Sequence, residues 1–344
     1  MVFSAAHGRL LALTGVVTLA CAACTDSSGG DGETVASADT TSTDGGDGNG
    51  DGDGDGDGDG DGEASWRVGA DGFDIPAIET YYACFETTVS VDALQHVIGF
   101  RPEIDPAAAP YVHHFVLTLD EAPSGEPQGS QCYDLDGDLM WAWAPGVVDY
   151  DLPPEAGYLV GDKGPELTLR LQIHYNNPLL TEGVKDSSGV RAVYTPELRA
   201  NNAGSLVFAD VLGITIPPGE PAYKHVADCL PNQTTQMLNG PITVIGSMLH
   251  AHDIGSVLWT DVYRGGEFVG ELNRDDPFSF ATQNYKPIDN FIIEPGDLVE
   301  NHCVYDSTDR TEPTYGGLGT LDEMCWNELM YYPRENVNFD FCGN

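Results

Sequence analysis

Nine histidines occur in 344 residues, and five of them fall where they could hold a metal. His113 and His114 are adjacent. His174 lies in Leu171-Gln172-Ile173-His174-Tyr175, and His250 and His252 flank Ala251. Met324 follows in the run Gly316-Gly317-Leu318-Gly319-Thr320-Leu321-Asp322-Glu323-Met324-Cys325. Imidazole and thioether together form a soft ligand set. Such a set suits copper, Cu(I) above all, better than zinc, calcium or magnesium.

The elements that would carry these side chains read as strands. Gln95–Phe100, Tyr111–Leu119, Leu167–Tyr175, Ala192–Tyr194, Gly213–Ile216, Ile242–His252, Val257–Tyr263 and Met324–Tyr332 are rich in β-branched, aromatic or alternating residues. Pro and Gly punctuate them, as in Ile216-Pro217-Pro218-Gly219 and Glu294-Pro295-Gly296-Asp297. No segment keeps a long 3.6-residue period, so the patterning is all-β and fits sandwiches. A polar break at Arg199–Gly204 divides the foldable part into two nearly equal halves.

Alternate strand residues share a face. Leu167, Leu169, Leu171, Ile173 and Tyr175 form one apolar face, which leaves Thr168, Arg170, Gln172 and His174 on the other. His174 therefore points away from the apolar core, and taken alone it also reads as an exposed strand histidine. His250 and His252 stand at i, i+2 and project side by side, a natural bidentate clamp that also occurs in zinc sites. A regular strand points adjacent His113 and His114 to opposite faces, so both reach one metal only at a strand end or a bulge. Met324 alone reads as core packing. A disulfide at its neighbour Cys325 would pin its backbone.

The formal net charge is -41. Residues 25–63 hold 13 acidic residues and no Lys or Arg, and the rest of the chain from residue 64 is still near -29. A nucleic-acid partner needs a basic footprint, which this balance excludes. Residues 1–23 read as an export signal, with Arg9 closing a short polar segment before the apolar stretch Leu10–Ala20. That stretch is too short to span a bilayer. Ala22-Ala23-Cys24 resembles a bacterial lipobox, with Cys21 as the alternative lipidation site and plain secretion as the other outcome. Membrane contact is expected only through that lipid anchor. Residues 24–65 are low-complexity Gly, Asp, Ser and Thr, which reads as an extended flexible tether. Its Asp-Gly run from Asp51 to Gly62 is similar to calcium loops but has no closing Glu.

Export implies an oxidising compartment. Beyond Cys24, Cys84, Cys132, Cys229, Cys303, Cys325 and Cys342 remain, enough for three disulfides in any of about 15 pairings. None forms a C-x-x-C pair, which argues against a zinc knuckle or thioredoxin-type site.

His-His, Gln-x-His-Tyr, His-x-His and Asp-Glu-Met-Cys, in that order across two β-rich halves, resemble the copper type II, ascorbate-dependent monooxygenases. That family includes dopamine β-monooxygenases and peptide α-hydroxylating monooxygenases. The resemblance runs from about Tyr81 to Cys342. Ile216–Gly219, Cys303-Val304-Tyr305, Thr308-Asp309-Arg310 and Gly316-Gly317 support it. Gly316–Pro333 looks closer to the dopamine branch.

The resemblance implies two tandem antiparallel, jelly-roll-like β-sandwich domains over 66–200 and 201–344, with one copper each across a solvent-filled cleft. By residue match, His113, His114 and His174 would hold the electron-transfer copper. His250, His252 and Met324 would hold the copper that meets O2 and a small-molecule substrate, with ascorbate or an equivalent reductant as co-substrate. Gln172 would sit beside the first site. The implied disulfides are Cys84–Cys132, Cys229–Cys342 and Cys303–Cys325. Peptide-hydroxylating members hold a C-terminal carboxylate with an Arg, an Asn and a Tyr, at positions occupied here by Met248, Trp326 and Glu328. No cation is left there, so a C-terminal glycine peptide is not the expected substrate. An indole and a carboxylate at the oxygen-activating site suit an aromatic or amine-bearing one; the plainer reading solvates Glu328 and packs Trp326. The alternatives to an enzyme are a non-catalytic copper-binding surface lipoprotein and an adhesive sandwich with incidental histidines. His96, His225 and His302 take no role in these readings, and His7 lies in the signal.

Overall fold

The computed structural model describes residues 63–344, apart from 121, 134–136, 284, 320 and 344. The export signal, Cys21, Cys24 and nearly all of the 24–65 tether lie outside the described residues.

The described chain is almost entirely β. In its first half, one sheet runs in the order Ser130–Gln131, Thr80–Ser90, Glu166–Asn176, Val112–Asp120, Asp138–Trp143. A second sheet contains Ser65–Gly69, Gly189–Thr195, Gln95–Glu103, Ala156–Val160 and Asn201–Asn202, with Tyr150–Asp151 alongside. The second half repeats the arrangement. One sheet runs Lys286–Ile293, Ile242–His250, Cys325–Tyr332, Gly204–Asp210, Phe341–Gly343. The other runs Tyr223–Cys229, Leu298–Tyr305, Gly255–Arg264, Glu267–Asp275. Among the described strands, pairing is antiparallel except where Asn201–Asn202 meets Ala156–Gly157 and where Gly204–Asp210 meets Phe341–Gly343.

The alternation in Glu166–Asn176 is realised. Leu167, Leu169, Leu171, Ile173 and Tyr175 are all buried in the first-half core. Each such side chain contributes roughly 1.5–3 kcal/mol when removed from water, offset by the cost of ordering it. The opposite face is not exposed: Thr168, Gln172 and His174 are buried as well. This corrects the reading of His174 as an exposed strand histidine. Second-half residues Ile245, Met248, Tyr285 and Met330 join the first-half apolar cluster, so the halves share a packed boundary.

Several strands carry weaker sequence signals. Lys286–Ile293 opens Lys-Pro and sits at a sheet edge, where a missing backbone donor is tolerated. Leu298–Tyr305 carries three consecutive polar residues, Glu300, Asn301 and His302, in its middle. Gly213–Ile216 shrinks to a two-residue strand, and Ile242–His252 stops at His250. Three disulfides, Cys84–Cys132, Cys229–Cys342 and Cys303–Cys325, staple the sheets in the pairs the resemblance implies.

Candidate metal centre

The first histidine cluster depends on one irregularity. Strands Val112–Asp120 and Glu166–Asn176 stay in register from Asp120 opposite Thr168 to His114 opposite His174. The register then slips, so that Tyr175 faces Val112 and His113 is the extra residue. This bulge turns His113 toward the face of its neighbour. The Nδ1 atoms of His113 and His114 lie 3.0 Å apart, and those of His114 and His174 lie 3.4 Å apart. Three ring nitrogens thus converge within 4.8 Å. Burial and the neighbouring imidazoles hold His114 well below the usual histidine range and push His113 down to about 4 and His174 to about 3. The rings are neutral at physiological pH, the form that ligates a metal. His174 Nε2 is buried with no hydrogen-bond partner. Gln172, two residues away on the same face, donates to the Cys132 carbonyl at 3.2 Å.

His250 ends its strand and His252 lies just beyond it, with ring centroids 5.1 Å apart. Each Nδ1 is engaged. His250 Nδ1 donates to Gln283 Oε1 at 2.7 Å, and the Gln283 amide donates to the Phe280 carbonyl, which fixes its orientation. His252 Nδ1 donates to the Asp322 carbonyl at 2.9 Å. Hydrogen bonding at Nδ1 would leave Nε2 as the ligating nitrogen, as it orients metal-binding histidines generally. Burial lowers both rings, with His250 pushed down to about 3.

Met324 is held from three sides. The fully buried Glu323 accepts the backbone N–H groups of His252 at 2.8 Å and Ile254 at 2.9 Å. Burial pushes Glu323 up to about 7 despite those donors. Tyr305 donates its hydroxyl to the Met324 carbonyl at 2.7 Å, and Cys325 is tied to Cys303. The loop before them has no room for a side chain at Gly316, where a Cβ would stand 2.3 Å from the Val211 carbonyl oxygen.

The two clusters are adjacent, which corrects the expectation of a solvent-filled cleft between them. His114 and His250 have ring centroids 6.4 Å apart. Phe280 bridges the rest, 4.3 Å from His113 and 6.1 Å from His252. A cavity of about 290 Å³ opens beside them, lined by His114, Gln172, His250, His252 and Met324 among others.

Met248, Trp326 and Glu328 line the same cavity. Strand pairing sets Met248 opposite Glu328 and His250 opposite Trp326. Glu328 is 2% exposed, so it is not a solvated surface carboxylate. Burial pushes it up to about 8, and Tyr285 is the polar group acting on it. Neither Glu328 Oε1 nor the Tyr285 hydroxyl completes a well-formed hydrogen bond. Trp326 is half-buried, 6.3 Å from Phe341.

The other described histidines serve the framework. His96 bonds Asn202 and the Arg199 N–H, His225 pairs with Asp210, and His302 stacks on Trp259. Gln283, Glu323, Tyr305 and Phe280 are the site residues that spacing did not reveal. Glu323 at least stands beside Met324 in sequence; Gln283 is 33 positions from the histidine it orients.

Tandem antiparallel β units, each contributing histidines to one shared cavity, define a two-part metalloprotein. The profile of the copper type II ascorbate-dependent monooxygenase N-terminal domain matches residues 66–182, and that of the C-terminal domain matches residues 202–344. The chain belongs to the copper type II ascorbate-dependent monooxygenase family. It is 34% identical to a tyramine β-hydroxylase of Caenorhabditis briggsae over 279 residues, 76% of this chain and 47% of that one. Identity to the human dopamine β-hydroxylase is 33% over 288 residues, 78% of this chain and 46% of that one. Identity to a chicken (Gallus gallus) DBH-like monooxygenase protein 1 is 31% over 282 residues, 76% of this chain and 46% of that one. The chain spans about half the length of these relatives.

Proposed function

We propose that this chain is an exported copper monooxygenase that hydroxylates a C–H bond of a small aromatic amine, using O2 and an ascorbate-type reductant. His113, His114 and His174 from the 66–200 half would hold one copper. His250, His252 and Met324 from the 201–344 half would hold the other. The donors fit: the ring nitrogens of three neutral imidazoles converge, and thioether with imidazole favours the reduced metal. Copper, when bound, supplies electron transfer and oxygen activation. The chain's own residues do the rest. Gln283 and the Asp322 carbonyl fix the tautomers of His250 and His252. Glu323 and Tyr305 position Met324. Gln172 fills the wall beside His174.

The observation that carries the substrate reading is Glu328, a buried carboxyl in the cavity with no well-formed hydrogen bond at Oε1. An ammonium group entering the cavity would favour the ionised form of Glu328 that burial alone opposes and pair with it, and the Trp326 indole offers a face to an aromatic ring. The named activities of the relatives, on tyramine and dopamine, agree with this class. A C-terminal carboxylate would meet Met248 and Glu328 and find no cation, so glycine-extended peptides are excluded. The test compares product formation from tyramine and from a glycine-extended peptide in wild type and Glu328→Gln. Losing the charge-assisted contact should raise KM for the amine about tenfold or more. An unchanged KM, or equal turnover of the peptide, would overturn the assignment.

Lipidation at Cys24, or at Cys21, would anchor the enzyme in the cell envelope. Three disulfides support an oxidising destination. Mass spectrometry of the mature N-terminus distinguishes a diacylated cysteine from a plain secreted end.

A further inference from the structure

The ligand histidines are shielded, yet a reductant must deliver electrons to a metal they hold. His174 is 2% exposed. A stacked aromatic path links it to solvent through Tyr82 and Tyr133. Tyr82 lies directly opposite His174 across the strand pair, and their rings stack 4.3 Å apart at 6°. Tyr133 sits 5.5 Å from Tyr82 and is 55% exposed. Tyr82 and Tyr133 both line the cavity, on wall contributed by the first half. Met248, Trp326 and Glu328 come from the second half.

The placement of Tyr133 is built rather than incidental. Cys84 and Cys132 form a disulfide, and the Cys132 N–H donates to the Tyr82 carbonyl at 3.1 Å. Tyr82 is two residues before Cys84 on the same strand face, and Tyr133 follows Cys132. Gln131 also donates to the Tyr133 hydroxyl. Two covalent or backbone ties and one side-chain bond therefore hold an exposed ring over a half-buried ring, which stacks on a buried ligand imidazole.

We propose that Tyr133 and Tyr82 form the reductant entry site, where a small planar enediol of the ascorbate type docks and passes electrons to the metal held by His174. The proposal rests on the family's copper and ascorbate dependence. In each encounter the donor loses one electron and one proton and leaves as a monodehydro radical. The electron crosses the Tyr82–His174 stack. A second donor molecule supplies the second electron that one hydroxylation consumes. Tyr82 serves as a coupling medium and is not itself oxidised, because copper(II) held by imidazoles would be too weak an oxidant to take a phenol's electron. The ring, not the hydroxyl, is what matters.

The test uses the full copper-loaded chain without oxygen, following loss of the Cu(II) paramagnetic signal after mixing with ascorbate. Copper content is matched across wild type, Tyr133→Ala, Tyr82→Leu and Tyr82→Phe. Removing the exposed ring should weaken ascorbate saturation about two- to tenfold, the value of one aromatic contact. Tyr82→Leu should slow reduction at saturating ascorbate, and Tyr82→Phe should retain the wild-type rate. Saturation-transfer NMR on the metal-free chain gives an independent readout: ascorbate signals should be attenuated by wild type and not by Tyr133→Ala. Should Tyr82→Leu fail to hold copper, Tyr133→Ala decides, being a surface change. Wild-type reduction and NMR contact in Tyr133→Ala would overturn the proposal, as would wild-type reduction in Tyr82→Leu at equal copper.

Discussion

Burial opposes ionisation of Glu328, and the consequence is measurable without metal or substrate. Its carboxyl is raised from the usual value near 4.5 to about 8. The native state then holds a proton that the unfolded chain releases, so stability falls as pH rises between those two values. Glu328→Gln removes that slope. The metal-free variant should match wild type near pH 4 and exceed it at pH 8 by on the order of 1–4 kcal/mol. Thermal unfolding at the two pH values checks this, and a constant difference between the proteins would contradict it. Residue match to the family singles out Met248, Trp326 and Glu328, and strand pairing brings them to one wall of the cavity. Strand alternation is silent on Gln283, whose contact with His250 depends on tertiary folding of the segment before Lys286. It also left Glu328 as a solvated residue, since one strand's pattern cannot say what covers its polar face.

Among elements, the bulge at His113 and the disulfide behind Met324 do the positioning. The need for an irregular strand was readable from two adjacent histidines. Its place, one residue past the His114–His174 pair, was not, because a register slip belongs to both strands. Strand Thr80–Ser90, which pairs Tyr82 with His174, has a weak alternating strand signal in sequence, and the Lys-Pro start of Lys286–Ile293 masks that edge strand. The short Cys303–Cys325 loop gives a second prediction. Replacing both cysteines with serine should cost about 3 kcal/mol of stability in chain-entropy terms. It should also weaken copper retention at the His250–His252–Met324 site more than at the other. Urea unfolding and stepwise chelation would register both effects; equal loss from the two sites would mean the disulfide does not position Met324.

At the scale of the whole molecule, two sandwiches bring five imidazoles within a few ångströms of a common cavity. The all-β class and the family were legible from patterning and motif order. The closeness of the two clusters was not, since it arises from the shared boundary formed by Ile245, Met248, Tyr285 and Met330. The folded part carries a large negative charge, which draws cations toward the cavity over about a Debye length. The KM of a cationic amine should therefore rise at least about twofold from low to high salt, while that of a neutral analogue stays level. Identical salt responses would remove steering from the account.

The most direct test is metal content and oxygen consumption of the full chain with copper, ascorbate and tyramine, beside Met324→Ala. The expected result is two coppers per chain and one hydroxylated product per O2, with Met324→Ala abolishing product. Copper bound at both sites with no amine hydroxylated would contradict it and leave a copper-binding protein in place of an enzyme.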